Sequence, residues 1–397
     1  MVSVKTWVAI VAVLLCASFA FAADQSSDLG EKGVTAFKQG DYDKAIDDFS
    51  RAVRLNTNYV GAYYFRGLAY MAKSQYDNSI SDFSRALALN TNYADAYYFR
   101  GLCYMNEKQY NRSLADLSQS LVLKTNITTL MLRAYVYSCV TDYNNSIEDY
   151  TKVIHLDPAN FRAYLGRARG FILDGAFGLA VMDCNAALNI NPNSVSAYQE
   201  RGQAYQEEND LDDAIADYDR AIQLNTSDII TYYARGTALV SQQRFADAIP
   251  DFDKFIASDT NDPSAYSNRG WCKDETGDYA GALRDYQLAV AADTNSAFGY
   301  NNLAWELSVC PDGKFRNGPR AVGYAKKACD LTGWTNAMYL DTLAAAYAES
   351  GNFRKAVHWE KKAIKGLADK DLSEGQKALS LYEHRKPYHE SPKPQTL

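Results

Sequence analysis

A ten-residue string, Ala62-Tyr-Tyr-Phe-Arg-Gly-Leu-Ala-Tyr-Met71, returns thirty-four residues later as Ala96-Tyr-Tyr-Phe-Arg-Gly-Leu-Cys-Tyr-Met105. An echo at that period points to a repeat array, in which each unit is too small to bury its apolar face alone and must pack on its neighbours. With Gly67 as position 8 and Ser79 as position 20, the register extends both ways. Small residues hold position 8 (Gly33, Gly67, Gly101, Ala134, Ala168, Gly202, Gly236, Gly270, Ala304 and Ala344). They also hold position 20 (Ala45, Ser79, Ser113, Ser146, Ala180, Ala214, Ala248, Ala282, Ala321 and Ala356). Helices approach closely only where side chains are small, so these positions mark the crossing inside a helical hairpin. Aromatics at position 24, such as Phe49, Phe83, Tyr150, Tyr218, Phe252 and Tyr286, are expected to fill the space between neighbouring hairpins. Ten units fit: 26–59, 60–93, 94–126, 127–160, 161–194, 195–228, 229–262, 263–296, 297–336 and 337–370.

An aromatic at position 4, Gly or Ala at 8, Tyr at 11, Ala or Ser at 20, an aromatic at 24 and Ala at 27 together resemble the tetratricopeptide repeat. Tyr198, Gly202, Tyr205, Ala214, Tyr218 and Ala221 carry the pattern most cleanly. The resemblance implies an all-α fold, an α-solenoid of about ten hairpins wound as a right-handed superhelix. A capping helix over 371–385 and a loose tail over 386–397 close the chain. The family's terminal proline is present only as Pro158 and Pro192. Elsewhere a threonine follows Asn56, Asn90, Asn225 or Asp293, residues expected to end their helices in the left-handed conformation. The third unit is one residue short near Asn126, and the ninth carries about five extra residues within 310–319, which predict a turn-rich loop. Pro250 is expected to kink a second helix. The stretch 302–348 is similar to a C-terminal module of bacterial members, which implies a bacterial source.

The amino terminus reads as an export leader. Lys5 precedes an apolar run from Trp7 to Phe21, and Ala20-Phe21-Ala22 has the small-x-small form of a cleavage site. Cleavage after Ala22 releases a periplasmic or secreted chain; a retained leader would anchor it to the membrane instead. Beyond the leader lie Cys103, Cys139, Cys184, Cys272, Cys310 and Cys329, none in a Cys-x-x-Cys pair. They fall on different repeats or at opposite helix ends, and are expected to be buried free thiols.

Position 7, usually apolar in the family, is arginine in seven successive units: Arg66, Arg100, Arg133, Arg167, Arg201, Arg235 and Arg269. Position 23 is aspartate in eight: Asp48, Asp82, Asp116, Asp149, Asp183, Asp217, Asp251 and Asp285. Both vanish together in the last two units, leaving Leu303 with Tyr324 and Leu343 with Trp359. Joint loss argues for pairing, since either charge stranded in a packed interface is costly. The expectation is that each Asp meets the Arg of the next unit, as in Asp82–Arg100 and Asp217–Arg235. The rival arrangement pairs them within a unit, with Lys32 serving Asp48. An anion-binding stripe is the functional alternative to this structural ladder.

No catalytic constellation is evident. His155, His358, His384 and His389 are scattered, phosphate-binding glycine loops are missing, and carboxylates recurring at fixed repeat positions read as structural. Neither a metal nor a cofactor is implied. A formal net charge of −7 without a basic stripe argues against a nucleic-acid partner. The resemblance places the first helices of the hairpins along an inner groove. Mapped onto this chain, that groove is aromatic and apolar in its early units, at Tyr64, Phe65, Leu68, Met71, Tyr98, Phe99, Leu102, Met105, Met131, Leu132 and Tyr135. It is more polar later, at Asn268, Trp271, Asn302 and Trp305. Asn268 and Asn302 match the centre of the family's carboxylate clamp, but Tyr233, Thr237, Met338 and Thr342 replace its other members. The expectation is a non-enzymatic scaffold for a protein or peptide partner. Its rivals are an envelope carbohydrate binder that stacks sugars on Tyr64, Tyr98, Trp271 and Trp305, and a hydrolase depending on His155. Oligomeric state is not indicated.

Overall fold

The computed structural model describes residues 25–258 and 261–393. The leader, its cleavage site after Ala22, and residues 394–397 lie outside them. Among the described residues there are twenty-one α-helices and no strand, and no helix is long and apolar enough to cross a membrane. The chain divides into two compact units, Met1–Pro192 and Asn193–Leu397.

The first unit contains five helical hairpins: α1 (Gln25–Lys38) with α2 (Tyr42–Leu55), α3 (Val60–Ala72) with α4 (Tyr76–Leu89), α5 (Ala94–Asn106) with α6 (Tyr110–Leu123), α7 (Ile127–Cys139) with α8 (Tyr143–Leu156), and α9 (Phe161–Leu173) with α10 (Phe177–Ile190). The second contains α11 (Val195–Glu207) with α12 (Leu211–Leu224), α13 (Ile229–Ser241) with α14 (Phe245–Ile256), α15 (Pro263–Glu275) with α16 (Tyr279–Ala292), α17 (Ala297–Val309) with α18 (Gly318–Leu331), and α19 (Ala337–Glu349) with α20 (Phe353–Ala363). A last helix, α21 (Asp369–Glu383), packs against α20.

The α3/α4 hairpin shows why the small positions recur. A β-carbon on Gly67 would lie 2.9 Å from the Phe83 ring, so glycine there lets the aromatic of the second helix seat against the first helix's backbone. Ser79 Oγ donates to the Gly67 carbonyl at 2.7 Å across the same crossing. Phe83 is fully buried and stacks on Phe99 of the next hairpin at 6.1 Å. One aromatic therefore closes its own hairpin and joins the next, contributing about 2–3 kcal/mol by burial. The expected location between hairpins describes only one side of it.

Helix ends differ from expectation. Asn56, Asn90, Asn225 and Asp293 are extended, with φ from −133° to −144°, not left-handed. Each side-chain oxygen instead accepts the backbone N–H two residues ahead, at 2.9–3.1 Å, so a local Asx turn satisfies the link. The left-handed residue sits in the tight turn inside the hairpin: Gly40, Ser74, Lys108, Thr141, Gly175, Asn209, Gln243, Gly277 and Gly351 all have φ between 58° and 81°. The short third unit resolves simply, since Asn126 caps α7 by accepting from Thr129 N. Helix α14 runs through Pro250 without ending there. In the ninth unit a 3₁₀ turn, Gly313–Phe315, fills the insertion. Arg316 ties it down by donating to the Cys310 carbonyl at 2.6 Å and to Glu349 at 3.2 Å.

The charge ladder is intra-hairpin, which corrects the expected Asp82–Arg100 and Asp217–Arg235 pairing. In the first unit Arg66 binds Asp82, Arg100 binds Asp116, Arg133 binds Asp149 and Arg167 binds Asp183, each through Nε and Nη2 at 2.7–2.8 Å. In the second, Arg201 binds Asp217, Arg235 binds Asp251 and Arg269 binds Asp285 in the same way, at 2.6–2.8 Å. Positions 7 and 23 flank the small-residue crossing, so they meet where the two helices of one hairpin are closest. A tyrosine three residues earlier, such as Tyr63 under Arg66 at 5.6 Å, orients the guanidinium plane. The remaining Nη1 reaches back to the preceding hairpin, to Ser50 from Arg66, Ser84 from Arg100 and Asp219 from Arg235. Lys32 does not serve Asp48: it pairs with exposed Asp28 at 2.7 Å, and buried Asp48 Oδ2 has no partner. Where the ladder stops, buried Leu303 and Leu343 replace it.

Candidate functional site

The early groove expected from the sequence is partly core. Tyr64, Leu68, Met71 and Phe99 are buried, because Tyr64 stacks on Tyr93 at 4.7 Å and packs edge-on to Phe99 at 6.1 Å. The next first helix and Tyr93 just before it thus cover Tyr64, whose buried hydroxyl has no hydrogen-bond partner. Phe65, Tyr98, Leu102, Met105, Met131 and Leu132 are half-buried, leaving Tyr135 as the exposed member. His155 is exposed near the end of α8. Tyr64, one of the four proposed sugar-stacking aromatics, is enclosed and offers no open ring face.

The later residues behave differently. Asn268 and Trp271 on α15, with Asn302 and Trp305 on α17, line one cavity of about 420 Å³ in the second unit. Repeat geometry brings them together, since the same face of successive first helices carries them. Phe298 on α17 and Met338 on α19 also line it; these two and Trp271 are 52%, 57% and 43% exposed. The floor is acidic. Glu306, 3% exposed, lies against Asp274, and its Oε1 has no hydrogen-bond partner. Burial, and then the Asp274 charge, push the Glu306 carboxyl well above its ordinary range; burial and then Glu390 raise Asp274. Beside the cavity, Glu360 is fully buried with its carboxyl hydrogen-bonded to that of Asp341. Burial and then Asp341 raise it further still. On α11, Gln199 and Gln206 spend their amides on Asp228, Thr231 and Thr237 of the following hairpin.

Residues 386–393, expected to be loose, form a strap across this wall. Glu390 N donates to the Val309 carbonyl at 2.9 Å, and Trp305 Nε1 donates to Glu390 Oε1 at 2.9 Å. Lys393 N donates to the Tyr279 hydroxyl at 3.0 Å, while its ammonium bonds Glu275 at 3.0 Å. His389 bonds Glu349 at 2.7 Å. Trp305 is therefore engaged by the chain's own carboxyl-terminal segment, and Tyr388 and Glu390 become part of the cavity wall. Sequence reasoning missed the acidic floor, although a signal was present. Position 10 holds Thr35, Ala69, Cys103, Val136, Gly170, Ala204, Ala238, Cys272 and Ala346 elsewhere, and Glu306 here. Among the described residues no group of three or more His, Cys, Asp or Glu side chains is placed to hold a metal ion, and the six cysteines are free.

A TPR repeat model matches residues 35–74, 67–108 and 202–243; two further tetratricopeptide repeat models match 233–297 and 94–125. No curated protein matches the chain. Similar solved structures include the C-terminal part of a TPR repeat-containing protein from Cytophaga hutchinsonii, 17% identical over 60% of this chain and 99% of that one, TM-score 0.49. Another is a tetratricopeptide repeat protein from Parabacteroides merdae, 18% identical over 71% and 98%, TM-score 0.40. A third is YrrB, titled a TPR protein with an unusual peptide-binding site, 16% identical over 47% and 97%, TM-score 0.43. The family models fall on helix pairs in both units, and residues 35–125 and 202–297 are accordingly tetratricopeptide repeats.

Proposed function

We propose that the chain is a non-enzymatic interaction scaffold that receives a peptide or protein partner on the first helices of its second unit. The observation that carries this reading is the exposure of Trp271, Phe298 and Met338 on three successive first helices around one cavity. Large apolar side chains left in water at the rim of a concavity are the usual anchors of a peptide partner. Selecting binders from a displayed peptide library tests it. Selected peptides should lose about tenfold or more in affinity on Trp271→Ala or Phe298→Ala, as loss of an anchor costs at least ~1.4 kcal/mol. Failure to select any binder, or binders indifferent to both changes, overturns the reading. We also propose export with cleavage after Ala22, on the strength of the leader. Sequencing the mature amino terminus checks it, with Ala23 expected first.

A further inference from the structure

We propose that the cavity of the second unit is a binding site for an organic cation, an alkylammonium or guanidinium group that enters past Trp271. Its volume, about 420 Å³, is that of a small-molecule or side-chain site. Carboxyls from four helices face it or its rim: Asp274 and Glu275 on α15, Glu306 on α17, Asp341 on α19, and Asp371 and Glu374 on α21. Among the described residues lining it there is no lysine, arginine or histidine.

Acidity alone would describe a solvated face, but this wall is enclosed and unsatisfied. Glu306 and Asn301, 3% and 8% exposed, line the cavity, and their Oε1 and Oδ1 atoms, closed off from water, have no hydrogen-bond partner. Both atoms are acceptors, so the complementary guest is a donor. Leaving such groups dry and unpaired is costly, and an N–H-bearing cation removes that cost while compensating the carboxyls crowded around it. Trp271, Tyr286, Trp305 and Tyr388 supply aromatic walls, against which a cation and its alkyl stem are both favoured. The chain already uses this chemistry at one edge: the Lys393 ammonium sits 3.0 Å from Glu275 and 3.4 Å from Glu390. The guest's charge source is either a free polyamine or a lysine or arginine side chain of a partner. The site stands whether or not the apolar rim holds a peptide.

Titration calorimetry on the full chain tests it with three probes: spermidine, a short peptide with one lysine and blocked ends, and the same peptide with that lysine acetylated. One saturable site per chain is expected for spermidine, the lysine peptide or both, and none for the acetylated peptide. Spermidine alone identifies a free amine as the guest; the lysine peptide alone identifies a basic side chain. Glu306→Gln and Asp274→Asn should each weaken binding about tenfold or more, whereas Asp47→Asn, an exposed acid of the first unit, should not change it. Thermal melts of the variants confirm that they fold. Absence of saturable binding by either cation, equal binding of the acetylated peptide, or binding unmoved by both cavity substitutions overturns the proposal. The scaffold reading is judged separately, by selected peptides and the rim substitutions.

Discussion

Arg167 donates from Nε and Nη2 to the two oxygens of Asp183, each at 2.7 Å, and so clamps α9 to α10 across sixteen residues of sequence. Its Nη1 meanwhile donates to Thr151 of the preceding hairpin at 3.0 Å. Asp183 is 5% exposed and depends on this partner. Arg167→Met should destabilise the protein by about 3–5 kcal/mol, because it leaves a carboxylate buried without its countercharge. Adding Asp183→Leu should recover most of the loss, because it removes the stranded charge, as the uncharged pairs Leu303 with Tyr324 and Leu343 with Trp359 do where the ladder ends. Urea unfolding of the single and double variants measures both; a single variant that unfolds with the parent would contradict the account.

Thr141 holds φ at 60° in the turn between α7 and α8, where Gly175, Gly277 and Gly351 do the same work in other hairpins. A β-branched residue is strained in that region, by about 1–2 kcal/mol. Thr141→Gly should therefore raise stability by about 0.5–1 kcal/mol after glycine's greater unfolded-chain entropy is deducted. Thermal melts decide it, and a lower midpoint would mean that the hydroxyl bond to the Val140 carbonyl outweighs the strain.

The buried carboxyls give the second unit a defined pH response. Burial and the Asp274 charge raise Glu306 from the ordinary value of 4.5 to about 8, and burial and Asp341 raise Glu360 beyond that. Both bind protons more tightly folded than unfolded. Their contribution is complete below about pH 4.5 and is lost as pH rises through about 8 for Glu306 and higher still for Glu360. Glu360→Gln should flatten the fall in melting temperature between about pH 5 and pH 9 relative to the parent. Parallel slopes for the two proteins would show that Glu360 does not titrate on unfolding.

The strap is held by Glu390 and Lys393, so Glu390→Ala combined with Lys393→Ala should free it. Amide hydrogen exchange over 386–393 should accelerate by about tenfold or more, with little change in α17. Unchanged protection would place the anchoring in the Tyr388 ring, packed 6.4 Å from Trp305, and not in the polar bonds.

Helix pairs, crossings and the small-residue register were legible in the sequence because each depends on contacts that recur every thirty-four residues. Ladder partners were not. Position 7 faces both the second helix of its own hairpin and that of the preceding one, and Arg66 touches both, through Asp82 and Ser50. Repetition alone does not tell which contact is bidentate. The left-handed residue was misplaced for a related reason: Asn56 offers a side-chain oxygen that substitutes for a special backbone angle.

In the candidate site, Asn268, Trp271, Asn302 and Trp305 were readable from repeat position and do line one cavity. Tyr64 was read as a groove residue from the same rule, yet Tyr93 and Phe99 cover it. Exposure depends on the neighbour's side-chain size, which no single position encodes. Glu306 and Glu360 were the overlooked signals. Each puts a carboxyl where the other repeats hold mostly small or apolar residues, and Glu360 occupies the place of Phe83 and Tyr218. The strap was invisible because its contacts, such as Trp305 with Glu390, span eighty-five residues outside any period.

Donor and acceptor of each bidentate bond travel on the same block of chain, and this bears on how such a protein changes length. Copying or deleting one block moves a charge and its countercharge together, so a recombination event strands neither. Had each aspartate been answered from the following block, pairing would have held only where the new neighbour carried the arginine, which the Leu303 and Leu343 blocks do not. Self-contained pairing leaves repeat number free to drift.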